Sequence, residues 1–271
     1  MSFSLVLPVS GYAGWAFLKQ TLASQTAAFN KSPEIARDEE YFRAKIGKVK
    51  TAEQLVGDRR LLKVALGAFG LDSDLGNKAF IQKILTDGTL KTGALANKLA
   101  DKQYLKFSAA FGFGDFTVPR TQLSDFAGKI VAAYKARQFE TAVGGQDGDL
   151  RLALNAQREL AVLATKSATE TVKWLGVLGN SPLKQVFTKA LGLPSTISAV
   201  NLDQQLTAFQ DKAEAAFGDR SVSQFSDPGK VETLIRRFLV RSQAEALSGQ
   251  VGSGAAALML LQQTAATARL R

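Results

Sequence analysis

Ser181-Pro-Leu-Lys184 has the spacing at which a lysine activates a serine nucleophile. The S-D-N and K-T-G elements that complete such acylases are absent, and Ser before Pro is also an ordinary helix start. Asp72-Ser-Asp74-Leu-Gly76 opens like a calcium loop. Lys83 stands where the loop needs a bidentate Glu, and Asn77 where it needs Gly. Asp38-Glu39-Glu40 gathers carboxylates on an early helical turn, where complementing the helix dipole explains them better than acid–base pairing. Gly144-Gly145-Gln-Asp-Gly148 has neither the spacing nor the lysine of a phosphate-cradling loop. The chain has 0 His and 0 Cys, which removes imidazole bases, thiolate nucleophiles, disulfides and Cys/His metal sites together. No catalytic, cofactor-binding or metal-ligating residue is assigned. A hydrolase built on carboxylates distant in sequence, or on Ser and Lys, remains an alternative.

The formal net charge is +10. Its densest part is Arg43, Lys45, Lys48, Lys50, Arg59 and Arg60, with a second group at Arg236, Arg237 and Arg241. Such a face attracts nucleic acid or an anionic membrane, but apolar residues interleave at helical spacing and no nucleic-acid-binding module is visible. Nucleic-acid binding or regulation through this face is the alternative to a protein partner. The N-terminus lacks a basic run before an apolar core, so no cleaved export signal is expected. No apolar run is long enough to span a bilayer. The expected location is cytoplasmic or flagellum-associated, the latter resting on the resemblance given below.

The elements that must position these side chains are helical almost throughout. Leu, Ala, Gln, Lys and Arg dominate, and alternating β-branched runs are missing. Starts are signalled at Ser32-Pro33, Thr51-Ala-Glu-Gln54, Ser181-Pro182 and Asp227-Pro228, and stops at Gly70, Gly112, Gly192 and Gly218. Thr121–Val143 reads as one long helix, as does the stretch from Asp149 to about Leu178. Gly249–Gly254 reads as a flexible joint before a terminal helix, Ala255–Leu270. The expected fold is all-α, a multi-helix bundle of about ten to twelve short helices with internal duplication. The divisions are an N-terminal helical segment (1–30), two repeat halves (31–143 and 144–249) and a C-terminal helix (250–271), forming one compact unit.

The duplication rests on a recurring helix stop. Asp58…Leu61…Val64…Ala68-Phe69-Gly70-Leu71 is matched by Asp101…Tyr104…Phe107…Ala110-Phe111-Gly112-Phe113. It returns as Asn180…Leu183…Val186…Ala190-Leu191-Gly192-Leu193 and, more weakly, from Asp211 to Gly218. Asp or Asn caps the start, an apolar stripe is buried, and Gly takes the left-handed conformation that ends the helix. Beyond these copies, Tyr134 and Arg137 correspond to Phe238 and Arg241.

These residues resemble one family. The resemblance is carried by Leu99-Ala100-Asp101, Gln138-Phe139-Glu140, Leu150-Arg151-Leu152-Ala153-Leu154, Trp174…Leu178-Gly179-Asn180 and Arg237-Phe238-Leu239-Val240-Arg241, with the helix-stop runs above. The family is the alphaproteobacterial domain of unknown function 1217, and the resemblance runs from about Gly11 to Gly249. It implies an all-helical fold and a gene setting among flagellar genes, and it transfers no catalytic residue. The expected function is therefore non-enzymatic: protein–protein contacts, with a flagellum-associated role in structure, assembly or export. Candidate contact residues are Trp15 and Phe17 near one end and Leu258 and Leu261 near the other. If exposed together they would mark an interface; otherwise both ends pack as core.

Overall fold

A computed structural model describes residues 4–268 of the 271, with side chains for 4–248. Among the described residues there are thirteen α-helices, several short 3-10 turns and no strand. The helices are α1 (Gly11–Asn30), α2 (Pro33–Lys45), α3 (Ala52–Gly57), α4 (Arg59–Gly67), α5 (Lys78–Asp87), α6 (Leu95–Lys98) and α7 (Gln103–Phe111). They continue as α8 (Phe126–Gly144), α9 (Gly148–Leu163), α10 (Glu170–Leu178), α11 (Ser181–Leu191), α12 (Leu202–Phe217) and α13 (Pro228–Ala268).

Local chemistry sets many of the starts. The Asp58 carboxylate accepts from Arg60 N and Leu61 N. Asp147, Thr169, Asn180 and Asn201 each accept from a backbone N–H in the first turn of α9, α10, α11 and α12. Each cap satisfies a donor that the helix itself leaves open. Gly70, Gly112, Gly192 and Gly218 have φ of 73°, 69°, 67° and 80°, the left-handed region. After Gly192, Leu193 N donates to Thr188 O, closing the last turn of α11.

Several boundaries differ from the sequence reading. Asn180, not Ser181, caps α11, which places Pro182 one residue deeper. Asp211 lies inside α12 and caps nothing; it pairs with Arg220. The stretch expected as one helix from Asp149 to Leu178 is two, α9 and α10. The break holds because the buried Lys173 ammonium reaches back to Ala164 O at 3.0 Å, satisfying a carbonyl at the end of α9. The segment expected from Thr121 starts instead as a 3-10 turn, and α8 begins at Phe126. Gly249–Gly254 is no joint: the backbone of α13 runs unbroken through it.

Element order and packing repeat along the chain. α2 packs on α4 and α8, as α9 packs on α11 and α13. α3 packs on α4, as α10 packs on α11. The correspondence extends to single contacts. Arg137 of α8 lies over Gly70 at the end of α4, where a Cβ would stand 2.9 Å from its Nη1. Arg241 of α13 lies over Gly192 at the end of α11 in the same way, at 2.3 Å. The first half carries the additional α6 and α7 between α5 and α8.

The two halves share one core. A contiguous buried cluster runs from Leu62, Phe107 and Tyr134 through Val143 and Leu150 to Trp174, Phe187 and Phe238. The Gly145–Asp147 connection joins α8 and α9, which pack directly on each other. α1 contacts α2, α8, α9 and α13. It is pinned to α13 by Glu232, whose carboxylate accepts from Tyr12 Oη, Trp15 Nε1 and Lys19 Nζ.

Candidate functional site

The sequence candidates scatter. Trp15 is fully buried and Phe17 half-buried, so they form no exposed pair. The side chains of Leu258 and Leu261 lie outside the described residues. Arg43, Lys45, Lys48, Lys50, Arg59 and Arg60 are all exposed. Arg43 is paired with Glu39, and Arg60 stacks 4.0 Å over the Tyr41 ring.

The residues that suggested chemistry have structural work. Asp38 does not complement a helix end. It is buried in the middle of α2, where Tyr134 Oη donates to it at 2.7 Å and Lys63 pairs with it at 2.8 Å. Burial and the hydrogen bond to Asp38 push the Tyr134 hydroxyl far up, so it stays a donor. Asp74 accepts from Asn77 Nδ2 and Tyr104 Oη, and Asp72 accepts from Gln138. Burial and the Asp74 hydrogen bond push Tyr104 up to about 12. Lys184 Nζ donates to Gln205, and no hydrogen bond joins it to Ser181. A serine and a lysine do meet elsewhere: Lys173 Nζ donates to Ser223 Oγ at 2.5 Å. That ammonium also holds Ala164 O and the Glu170 carboxylate, a saturated staple rather than a free base. Among the described residues no group of His, Cys, Asp and Glu could hold a metal ion.

What the structure brings together lies where α7, α8, α9 and α11 converge. At its centre is Glu159 of α9, 9% exposed. It accepts from Lys106 of α7 at 3.0 Å, Arg137 of α8 at 3.0 Å and its neighbour Arg158 at 2.5 Å. Arg158 also grips Glu140 of α8 with two bonds, 2.6 and 3.1 Å. Burial alone would raise the Glu159 carboxyl. The charges of Lys106, Arg158 and Arg137 outweigh it and hold the group below the ordinary glutamate range. Burial and the Arg158 charge lower Arg137.

This network separates two concave surfaces. On one side, α7, α9 and α10 line a groove of about 430 Å³. Its wall is apolar: Val162, Val172 and Leu175 are 70%, 46% and 37% exposed. Lys102, Lys106 and Lys166 stand around it, and Glu159, already met by three cations, is the one acid in its lining. On the other side, a polar cleft of about 160 Å³ lies between the two halves, lined by Arg137 and Glu140 of α8, Arg151 and Asn155 of α9, and the starts of α7 and α11. Of the cleft's lining the sequence singles out Gly70 as a helix stop, Asp72 in the calcium-like opening and Ser181 in the Ser-Lys spacing; the other groove and cleft residues named here it does not mark as a site. Their spacing is that of ordinary helix faces, and only tertiary packing puts them side by side.

Among the described residues, no helix is long and apolar enough to cross a membrane. No curated protein matches the chain. A crystal structure of an Agrobacterium tumefaciens protein, determined by a structural genomics consortium, is similar in fold and sequence. The TM-score is 0.72 at 27% identity, covering 89% of this chain and 98% of that one. A family model described as "Protein of unknown function (DUF1217)" matches residues 68–231, from the end of α4 to the first turn of α13. The chain belongs to that family.

Proposed function

We propose that this is a non-enzymatic helical protein that works by docking a partner protein in the groove between α7, α9 and α10. The carrying observation is the exposed apolar wall of Val162, Val172 and Leu175 beside unneutralised lysine charge. Large aliphatic side chains left in water at contiguous positions gain free energy when covered. Among the described residues Lys166 makes no ion pair, and Glu159 is already satisfied, so the rim favours an acidic partner. A segment with an apolar face and acidic flanks, lying along the groove as a helix, meets both demands. The gene setting implied by the family resemblance makes a flagellar component the first partner to test.

Val162 and Val172 are solvent-facing, so Val162→Asp with Val172→Asp together change stability by no more than about 1 kcal/mol. A photo-crosslinker placed at Val162 in motile cells should give a discrete adduct to an acidic protein segment. The double Asp variant should lose that adduct, while a crosslinker at the exposed Leu90, which is not in the groove lining, should not give it. The same adduct from Leu90, or its survival in the Asp variant, removes the groove reading.

A further inference from the structure

We propose that the adjoining loops at 88–94 and 112–125 dock this protein on the surface of an anionic lipid bilayer. Leu90, Phe116, Val118 and Leu123 enter the interface, and Lys48, Lys50, Lys91 and Arg120 meet the headgroups. This is independent of the groove and its partner.

The two loops are tied to each other. Gly88 and Gly114 meet backbone to backbone: a Cβ on Gly114 would stand 2.3 Å from Thr86 O and 2.4 Å from Gly88 N. The Asp115 carboxylate accepts from Thr89 N at 2.6 Å, Thr89 Oγ1 at 2.8 Å and Leu90 N at 3.0 Å. Asn97 Nδ2 donates to Thr89 O and Lys91 O. A third segment, 46–50, joins them. Thr121 Oγ1 donates to Val49 O at 2.6 Å, and Gln122 Nε2 to Gly47 O at 2.9 Å.

These bonds hold large apolar side chains in water. Leu90 and Val118 are 72% and 67% exposed, and Leu123 and Phe116 are exposed beside them in sequence and space. Such a concentration on adjoining loops marks an interaction surface. None of the four lines the groove or the polar cleft. They stand on loops rather than wall a hollow. A bilayer interface is fluid and takes up separate side chains without a matching shape.

Charge selects the lipid. Lys48, Lys50, Lys91 and Arg120 are exposed, and among the described residues none makes an ion pair. Arg120 lies 5.1 Å over the Phe116 ring instead. The three segments contain two acids, and both are engaged: Asp115 by Thr89 and Leu90, Asp125 by Lys129. Basic side chains with apolar stems reach headgroup phosphates while their neighbours insert. Nucleic acid would use the cations and leave the four apolar side chains in water.

The test is flotation of the full chain with phosphatidylcholine vesicles, alone or with about 30% phosphatidylserine, whose negative surface potential attracts basic residues. Binding is expected with the mixed vesicles only, weakening as salt rises. Leu90→Ser with Val118→Ser, both at exposed positions, should lower vesicle affinity at least about tenfold with an unchanged urea midpoint. Lys48→Gln with Lys91→Gln should do the same. Phe116→Trp reads insertion directly. Trp15 and Trp174 are fully buried, so a blue shift and quenching by brominated acyl chains would come from the new indole. Undiminished vesicle binding by the Leu90 and Val118 double variant overturns the proposal, because charge alone would then hold the protein. So does binding to neither vesicle, equal binding to both, or retention on duplex DNA in place of vesicles.

Discussion

Single residues hold this chain in shape by two devices, the left-handed glycine and the buried charge. At Gly218 a Cβ would meet nothing within 4 Å, so Gly218→Ala imposes backbone strain alone, about 1 kcal/mol. At Gly192 the same Cβ would also run into the Arg241 guanidinium. Gly192→Ala should therefore cost more, roughly 2 to 3 kcal/mol, read as the difference between the two urea midpoints. Equal losses would show that Arg241 moves aside freely. Glu159 provides the second case. Its folded-state pKa lies below the ordinary 4.5, so its charge contributes stability above that pH and loses it as pH falls through the lower folded value. Glu159→Gln leaves Lys106, Arg137 and Arg158 facing a neutral amide, a loss of about 3 kcal/mol at pH 7. The gap between wild type and variant should narrow below about pH 4.5. Urea unfolding at pH 7 and pH 3 measures both points.

At the scale of elements, starts and stops were legible where a side chain closes its own helix end. Asp58, Thr51 and the four glycines act within one turn of themselves, so a local window contains the whole interaction. The break between α9 and α10 was not legible in the same way. Thr169 caps α10 and is visible in sequence, but the carbonyl left at Ala164 is answered by Lys173, nine residues on, held in place by Ser223. Asp38 was misread for a related reason. Its position in α2 is a surface position by charge, and only the approach of α8 with Tyr134 makes it an interior acceptor. The groove belongs to this scale too. Val162, Val172 and Leu175 sit on two helices that a continuous α9 would have kept apart.

The whole molecule is two versions of one helical arrangement sharing a core. Because α8 packs on α9 and α1 touches both halves, neither half buries its apolar surface alone. The two tryptophans report on different parts: Trp15 sits in α1 against α13, and Trp174 in α10 stacks against Phe187 and Phe209. Single-tryptophan variants, each made by replacing the other with Phe, should unfold with coincident urea midpoints. Two separated transitions would show the halves to be independent units.

Composition, helical spacing and caps determined by themselves that this chain is all-helical, that it repeats a glycine-ended helix, and that imidazole and thiol chemistry are closed to it. Those properties depend on interactions within a turn or on residue types alone. The tertiary structure decided which charges are buried together, that the Trp15 end is core, and that an apolar groove and a polar cleft flank Glu159. Such features join side chains of five helices, α7 to α11, spread from Gln103 to Leu191, and no periodicity along the chain encodes the distance between them.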